Sequence, residues 1–159
     1  MARHFIYLLF LFAAAGMARA ADTNFVPTSL AGQTFIHDPS SIVADVGNYY
    51  IFGTGFGIHA KSSPDLIHWT DTGSVFSEPP DWIKAAIPGF RGSFWAPDIV
   101  RVNGKFLLYY SASTFGKQTS AIGLATNPTL NTTATNYLWT DCGEIIASTN
   151  GSLYNTIDP

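Results

Sequence analysis

Two stretches of this chain are copies of one pattern. DPSSIVADVGNYYIFGTG, residues 38–55, and WAPDIVRVNGKFLLYYSAS, residues 95–113, align on Ile42-Val43 and Ile99-Val100 at an offset of 57. Each runs through a proline motif, Ile-Val, a glycine-containing turn and an aromatic-rich run, which predicts a strand, a tight hairpin and a second strand. Downstream, IHAKSSPDLIHWTDTG (58–73) matches IGLATNPTLNTTATNYLWTDCG (122–143), with a polar insertion around Asn131 to Asn136 in the second copy. Both end in Trp-Thr-Asp-x-Gly and supply a third and a fourth strand. The pattern restarts at Ile157-Asp158-Pro159, which echoes His37-Asp38-Pro39. Four strands repeated at a fixed spacing are the signature of a β-propeller blade. The chain thus reads as all-β, with two blades and the first residues of a third. Two stacked β-meanders in a sandwich remain the alternative.

Composition agrees with this reading. Aromatics make up 14 % and charged residues 12 %, with fourteen glycines and nine prolines, a mixture suited to short strands and turns. Only Asp81 to Ile87 fits helix, for one or two turns stopped by Pro88. The formal charge of −3 has no basic patch behind it, which argues against a nucleic-acid partner.

The N-terminus reads as a secretory signal over residues 1–20. Arg3 and His4 precede an apolar run from Phe5 to Ala15, and Ala18-Arg19-Ala20 forms a cleavage pattern; an uncleaved anchor or a buried helix is the alternative. Cleavage would remove Arg3 and Arg19 and leave 6 Lys+Arg against 11 Asp+Glu, a secreted chain of net charge −5 with no membrane attachment. Asn131-Thr132-Thr133 and Asn150-Gly151-Ser152 are glycosylation sequons, meaningful only in a eukaryotic secretory pathway. Cys142 stands alone and reads as a small buried hydrophobe.

The innermost strands of a propeller surround its axis, so equivalent positions of different blades converge. Asp38 and Asp158 hold the same place in the first and third copies. Both precede proline, which biases them toward extended backbone. Two carboxylates reaching one pocket suit glycosidic bond cleavage; an isolated Asp-Pro would only cap a turn. Trp95, at the start of the second inner strand, offers a flat apolar face to a sugar ring, with core packing as the alternative. Phe115 and Gly116 lie in a loop, where a phenylalanine is free to meet ligand. Trp69 and Trp139 recur at the blade ends and are assigned to packing between blades.

These residues carry a resemblance. HDPS (37–40), FWAPDIV (94–100), YYSASTFGKQTSAIGLATN (109–127) and YNTIDP (154–159) resemble glycoside hydrolase family 43, most closely its endo-1,5-α-L-arabinanases. The resemblance implies a five-bladed propeller when full length, with residues 21–159 a partial, truncated domain of it. It also implies a monomer acting on arabinan or arabino-oligosaccharides in pectin side chains, with inversion. Asp38 would be the general base. Asp158 would raise the pKa of the general acid and orient the substrate. Trp95, Phe115, Gly116, Asn155, Thr156 and Ile157 would line the sugar cleft, and Asp98 would brace the base or inner strand. Thr156 stands where relatives carry alanine. The acid, a glutamate of a later blade, has no counterpart here: Glu78 and Glu144 read as solvated surface charges. No cofactor or metal is expected in this chain, although relatives hold a structural calcium through a histidine of a late blade. The chain alone is expected to be inactive and to expose apolar blade faces that favour aggregation. An exo-acting arabinofuranosidase, a β-xylosidase of the same fold, a non-catalytic sugar-binding propeller and a truncated gene product are the alternatives.

Overall fold

The computed structural model describes residues 29–159; the expected signal segment, residues 1–20, lies outside the described residues. Strands alternate with turns throughout, and the predicted helix is present as α1 (Asp81–Ala86), ended one residue before Pro88 by Ile87. No helix among the described residues is long and apolar enough to cross a membrane.

The first repeat forms β2 (Val43–Asp45), β3 (Asn48–Gly53), β5 (His59–Ser63) and β6 (His68–Ser74) in antiparallel succession. The second forms β7 (Ser93–Val102), β8 (Lys105–Ser113), β9 (Ser120–Asn127) and β10 (Thr140–Ser148) in the same way. Each is the four-stranded meander that the repeat predicts. Two short strands extend the sheets. β1 (Ala31–Gly32) runs parallel along the free edge of β6, and β4 (Gly55–Phe56) pairs with the start of β7. An added edge strand shields otherwise unpaired N–H and C=O groups.

The hairpins show how the repeat is built. Val46-Gly47 joins β2 to β3, and Asn103-Gly104 joins β7 to β8, with positive φ at all four residues. Two-residue turns of this hand match the twist of the strands they connect. Asparagine and glycine enter this region readily, whereas valine, branched at Cβ, does not.

The sheets pack through a shared hydrophobic core. Alternation along β8 sends Phe106, Leu108, Tyr110 and Ala112 fully inside. Tyr110 meets Phe94 edge-on at 5.2 Å, and Phe76 and Phe90 complete an aromatic cluster. Trp139 stands edge-on to Phe52 of the first sheet at 5.7 Å, as expected of a residue packed between blades. Trp69 behaves differently. It is buried, but its indole N–H donates to Leu66 O in the turn between β5 and β6, and it is no part of the core cluster joining the sheets. Cys142 is exposed, not buried, because it lies on the outermost strand β10, where alternation turns it outward.

Polar joints are as specific as the apolar ones. The buried carboxylate of Asp45, at the tip of β2, accepts the Thr129 hydroxyl (2.6 Å) and the Leu130 N–H (2.8 Å) from the second repeat. The aspartate of each Trp-Thr-Asp-x-Gly ending serves its own blade. Asp71 pairs with the buried Lys61. Asp141 accepts Tyr110 Oη–H (2.5 Å) and Trp82 Nε1–H (3.0 Å), tying α1 to β10. Burial first, and the Asp141 carboxylate second, hold the Tyr110 phenol well above its ordinary range, so it stays a donor. Several large apolar side chains are exposed, among them Phe35, Ile145, Ile146 and Leu153.

Candidate active site

The three proline motifs converge. Asp38-Pro39, Ala96-Pro97 and Asp158-Pro159 line one small cavity of about 260 Å³, with Ser40, Ser41 and Asp98 between them. All three residues before proline adopt positive φ: 43° at Asp38, 34° at Ala96 and 58° at Asp158. This corrects the expectation of extended backbone. In β7 the cause is visible in the register, which breaks between Trp95 and Asp98, so that Ala96 and Pro97 bulge from the ladder. Proline has no N–H for that ladder. Residues held in this region cost on the order of 1–3 kcal/mol each and persist only where the surroundings determine them.

Those surroundings are a set of hydrogen bonds. Thr54 Oγ1 donates to Asp38 Oδ2 (2.8 Å), and His37 Nδ1 lies 2.9 Å from the same oxygen. Ser41 N–H donates to Asp98 Oδ1 (2.8 Å), so Asp98 braces the first inner segment, the role expected of it. Asp158 N–H donates to Ser111 Oγ (2.8 Å).

Beside the converging motifs lies a cleft of about 730 Å³. Its walls include Asp38, Asp158, Trp95 and Phe115, together with His37, Thr54 and Arg91. The sequence places Trp95 there by alternation: Phe94 is fully buried, so Trp95 faces the opposite side of the strand and is only half-buried. Phe115 projects into solvent at 92 % exposure from the turn in which Lys117 N–H donates to Thr114 O. Gly116, at φ 74°, shapes that turn and is not a wall of the cleft. The segment after α1 brings Gly89, Arg91 and Ser93 to the wall.

The run 155–157 is placed differently from Asp158. Asn155 Oδ1 accepts the Ser120 hydroxyl (2.7 Å), Thr156 is buried, and its N–H donates to Ser148 Oγ (3.0 Å). Asn155, Thr156 and Ile157 do not wall the cleft; they dock the segment that presents Asp158. The Thr156 hydroxyl is buried without a hydrogen-bond partner among the described residues. Glu78 and Glu144 are exposed and lie away from the cleft.

Sequence reading alone does not reach Thr54 or Arg91. Arg91 carries no motif. Thr54 occupies a repeated position, which was the available signal.

Residues 31–159 match the sequence profile of the glycosyl hydrolases family 43. The chain belongs to this family. It is 44 % identical over 130 residues to the extracellular exo-α-(1→5)-L-arabinofuranosidase ArbA of Cellvibrio japonicus, covering 81 % of this chain and 37 % of that protein. It is 38 % identical over 133 residues to the extracellular endo-α-(1→5)-L-arabinanase 1 of Bacillus subtilis, covering 81 % and 40 %. Among solved structures, the α-L-arabinanase of Cellvibrio cellulosa complexed with arabinohexaose superposes with a TM-score of 0.75 at 43 % identity, covering 78 % of this chain and 39 % of that one. The chain thus spans less than half the length of these family 43 relatives, and its two sheets are blades of their β-propeller fold.

Proposed function

We propose that the protein hydrolyses internal α-1,5-arabinofuranosidic bonds of arabinan, with inversion, and that its cleft is the sugar site. The observation that carries this reading is the meeting of Asp38 and Asp158, from equivalent points of two repeats, in one cleft with Trp95 and Phe115. The names of the relatives supply the substrate class. Their description as extracellular favours secretion of this protein too.

In this reading Asp38 is the general base. Thr54 and His37 occupy its Oδ2, which leaves Oδ1 to take a proton from water. Trp95 and Phe115 bind the apolar faces of the sugar rings and exclude water. Asp158, set by its main-chain bond to Ser111, orients the sugar and raises the pKa of the acid by like-charge repulsion. An inverting pair stands about 6.5–9.5 Å apart, with the water between. The acid that protonates the leaving oxygen is, in this reading, a glutamate with no counterpart among these 159 residues. Among the described residues no three His, Cys, Asp or Glu side chains group as metal ligands.

The test is product analysis of linear 1,5-arabinan treated with the full-length protein. Mixed oligosaccharides and an inverted anomer in the first NMR spectra support the proposal. Release of arabinose alone would support exo action instead, the reading favoured by the 44 % identity to the exo-acting relative. No hydrolysis would refute both.

A further inference from the structure

We infer that Thr54 is a positioning residue for Asp38, and that Thr54 and Ser111 are one hydroxyl latch repeated in successive blades. The inference rests on the reading of Asp38 as the base. At the offset of 57 that aligns the repeats, Thr54 falls on Ser111. The two hydroxyls do the same thing. Thr54 Oγ1 accepts the N–H of Ala96 at 2.8 Å, and Ser111 Oγ accepts the N–H of Asp158 at 2.8 Å. Ala96 and Asp158 are the residues before proline that open the following blade, and both have positive φ. Each latch therefore fixes the strained start of the next blade from the end of the second strand of the preceding one, Thr54 just past β3 and Ser111 within β8.

The first latch has an additional member. A hydroxyl offers one donor and two acceptor sites. With Ala96 N–H accepted, the Thr54 proton is directed to Asp38 Oδ2. Thr54 N–H also donates to His37 O at 2.8 Å, which seats the Asp38 backbone. In the second blade the residue before the motif proline is Ala96, where the first blade has Asp38, and alanine has no carboxylate to receive the Ser111 proton. Only the first latch joins a carboxylate to the neighbouring blade. Through Ala96 it also sets the adjacent Trp95, so one side chain fixes the base relative to the aromatic wall of the cleft.

The experiment compares Thr54→Val, Thr54→Ser and Ser111→Ala in the full-length protein, with kcat and KM on linear arabinan and thermal midpoints. Valine keeps the shape and removes the hydroxyl. Thr54→Val is expected to lower kcat on the order of ten-fold, the effect of losing one hydrogen bond to a charged group, with KM little changed and the midpoint lowered by the loss of the Ala96 N–H acceptor. Thr54→Ser should restore kcat. Ser111→Ala should lower kcat through the main chain of Asp158. Should Thr54→Val not fold, Thr54→Ala takes its place. An unchanged kcat in the hydroxyl-free variant, or loss not rescued by serine, overturns the inference. If Asp38→Asn abolishes turnover while Thr54→Val keeps it, the latch alone fails. If the wild-type protein leaves arabinan intact, the arabinanase reading fails and the latch with it.

Discussion

The two hairpins that open the repeats offer a controlled exchange. Val46 and Asn103 hold the same turn position, at φ 44° and 49°, each followed by a glycine at positive φ. A residue with a Cβ in this region costs about 1–2 kcal/mol, and asparagine recovers part of that through local hydrogen bonding. Val46 is 71 % exposed, so replacing it forfeits little burial. Val46→Asn should therefore stabilise the protein by about 1 kcal/mol, and Asn103→Val should destabilise it by a similar amount. For a domain of this size that is a shift of about 2–4 °C in midpoint. Urea unfolding is the assay, because a change of midpoint at constant slope reports stability alone. If both variants unfold with the wild-type midpoint, the strain at Val46 is not real. If Val46→Asn destabilises, the valine makes a contact that the exposed turn does not reveal.

Two further outcomes follow from the joints between and within blades. Asp45→Ala should cost about 3 kcal/mol in urea unfolding, because it leaves the Thr129 hydroxyl and Leu130 N–H without their acceptor; a loss under about 1 kcal/mol would show that water replaces it. Asp65 is held well below its ordinary value of 3.8, first by the backbone N–H of His68, then by the His68 ring and the Ile67 N–H. Its contribution to stability is therefore present above that ordinary value and fades as pH falls below it. The stability difference between wild type and Asp65→Ala should shrink on acidification through that range, and a difference constant with pH would contradict the assignment.

Much of the architecture was legible because the repeat is carried by strong local signals. The Ile-Val pairs, glycine turns and Trp-Thr-Asp-x-Gly endings recur together, and each maps to one strand or turn of a four-stranded sheet. β1 and β4 were not legible, since two residues are too few to show a period. The proline motifs misled on backbone, because the local preference before proline yields to a bulge and to hydrogen bonds from distant strands. Residue type alone favours burial of Cys142, but exposure follows from its place on an edge strand. In the candidate site, Asp38, Asp158, Trp95 and Phe115 line the cleft. Asn155 does not, because Ser120, far back in sequence, and the nearer Ser148 draw the segment inward. Thr54 is not legible in the sequence, because a threonine at a strand end has many ordinary uses; only its contacts with Asp38 and Ala96 single it out.

The central claim is that Asp38 is the base of a sugar-cleaving cleft and not merely part of a sugar-binding surface. The direct measurement is turnover of linear arabinan by the full-length Asp38→Asn variant, with calorimetric binding of arabinohexaose to the same protein. The account predicts that hydrolysis is lost while binding is retained. Hydrolysis at the parental rate would contradict it.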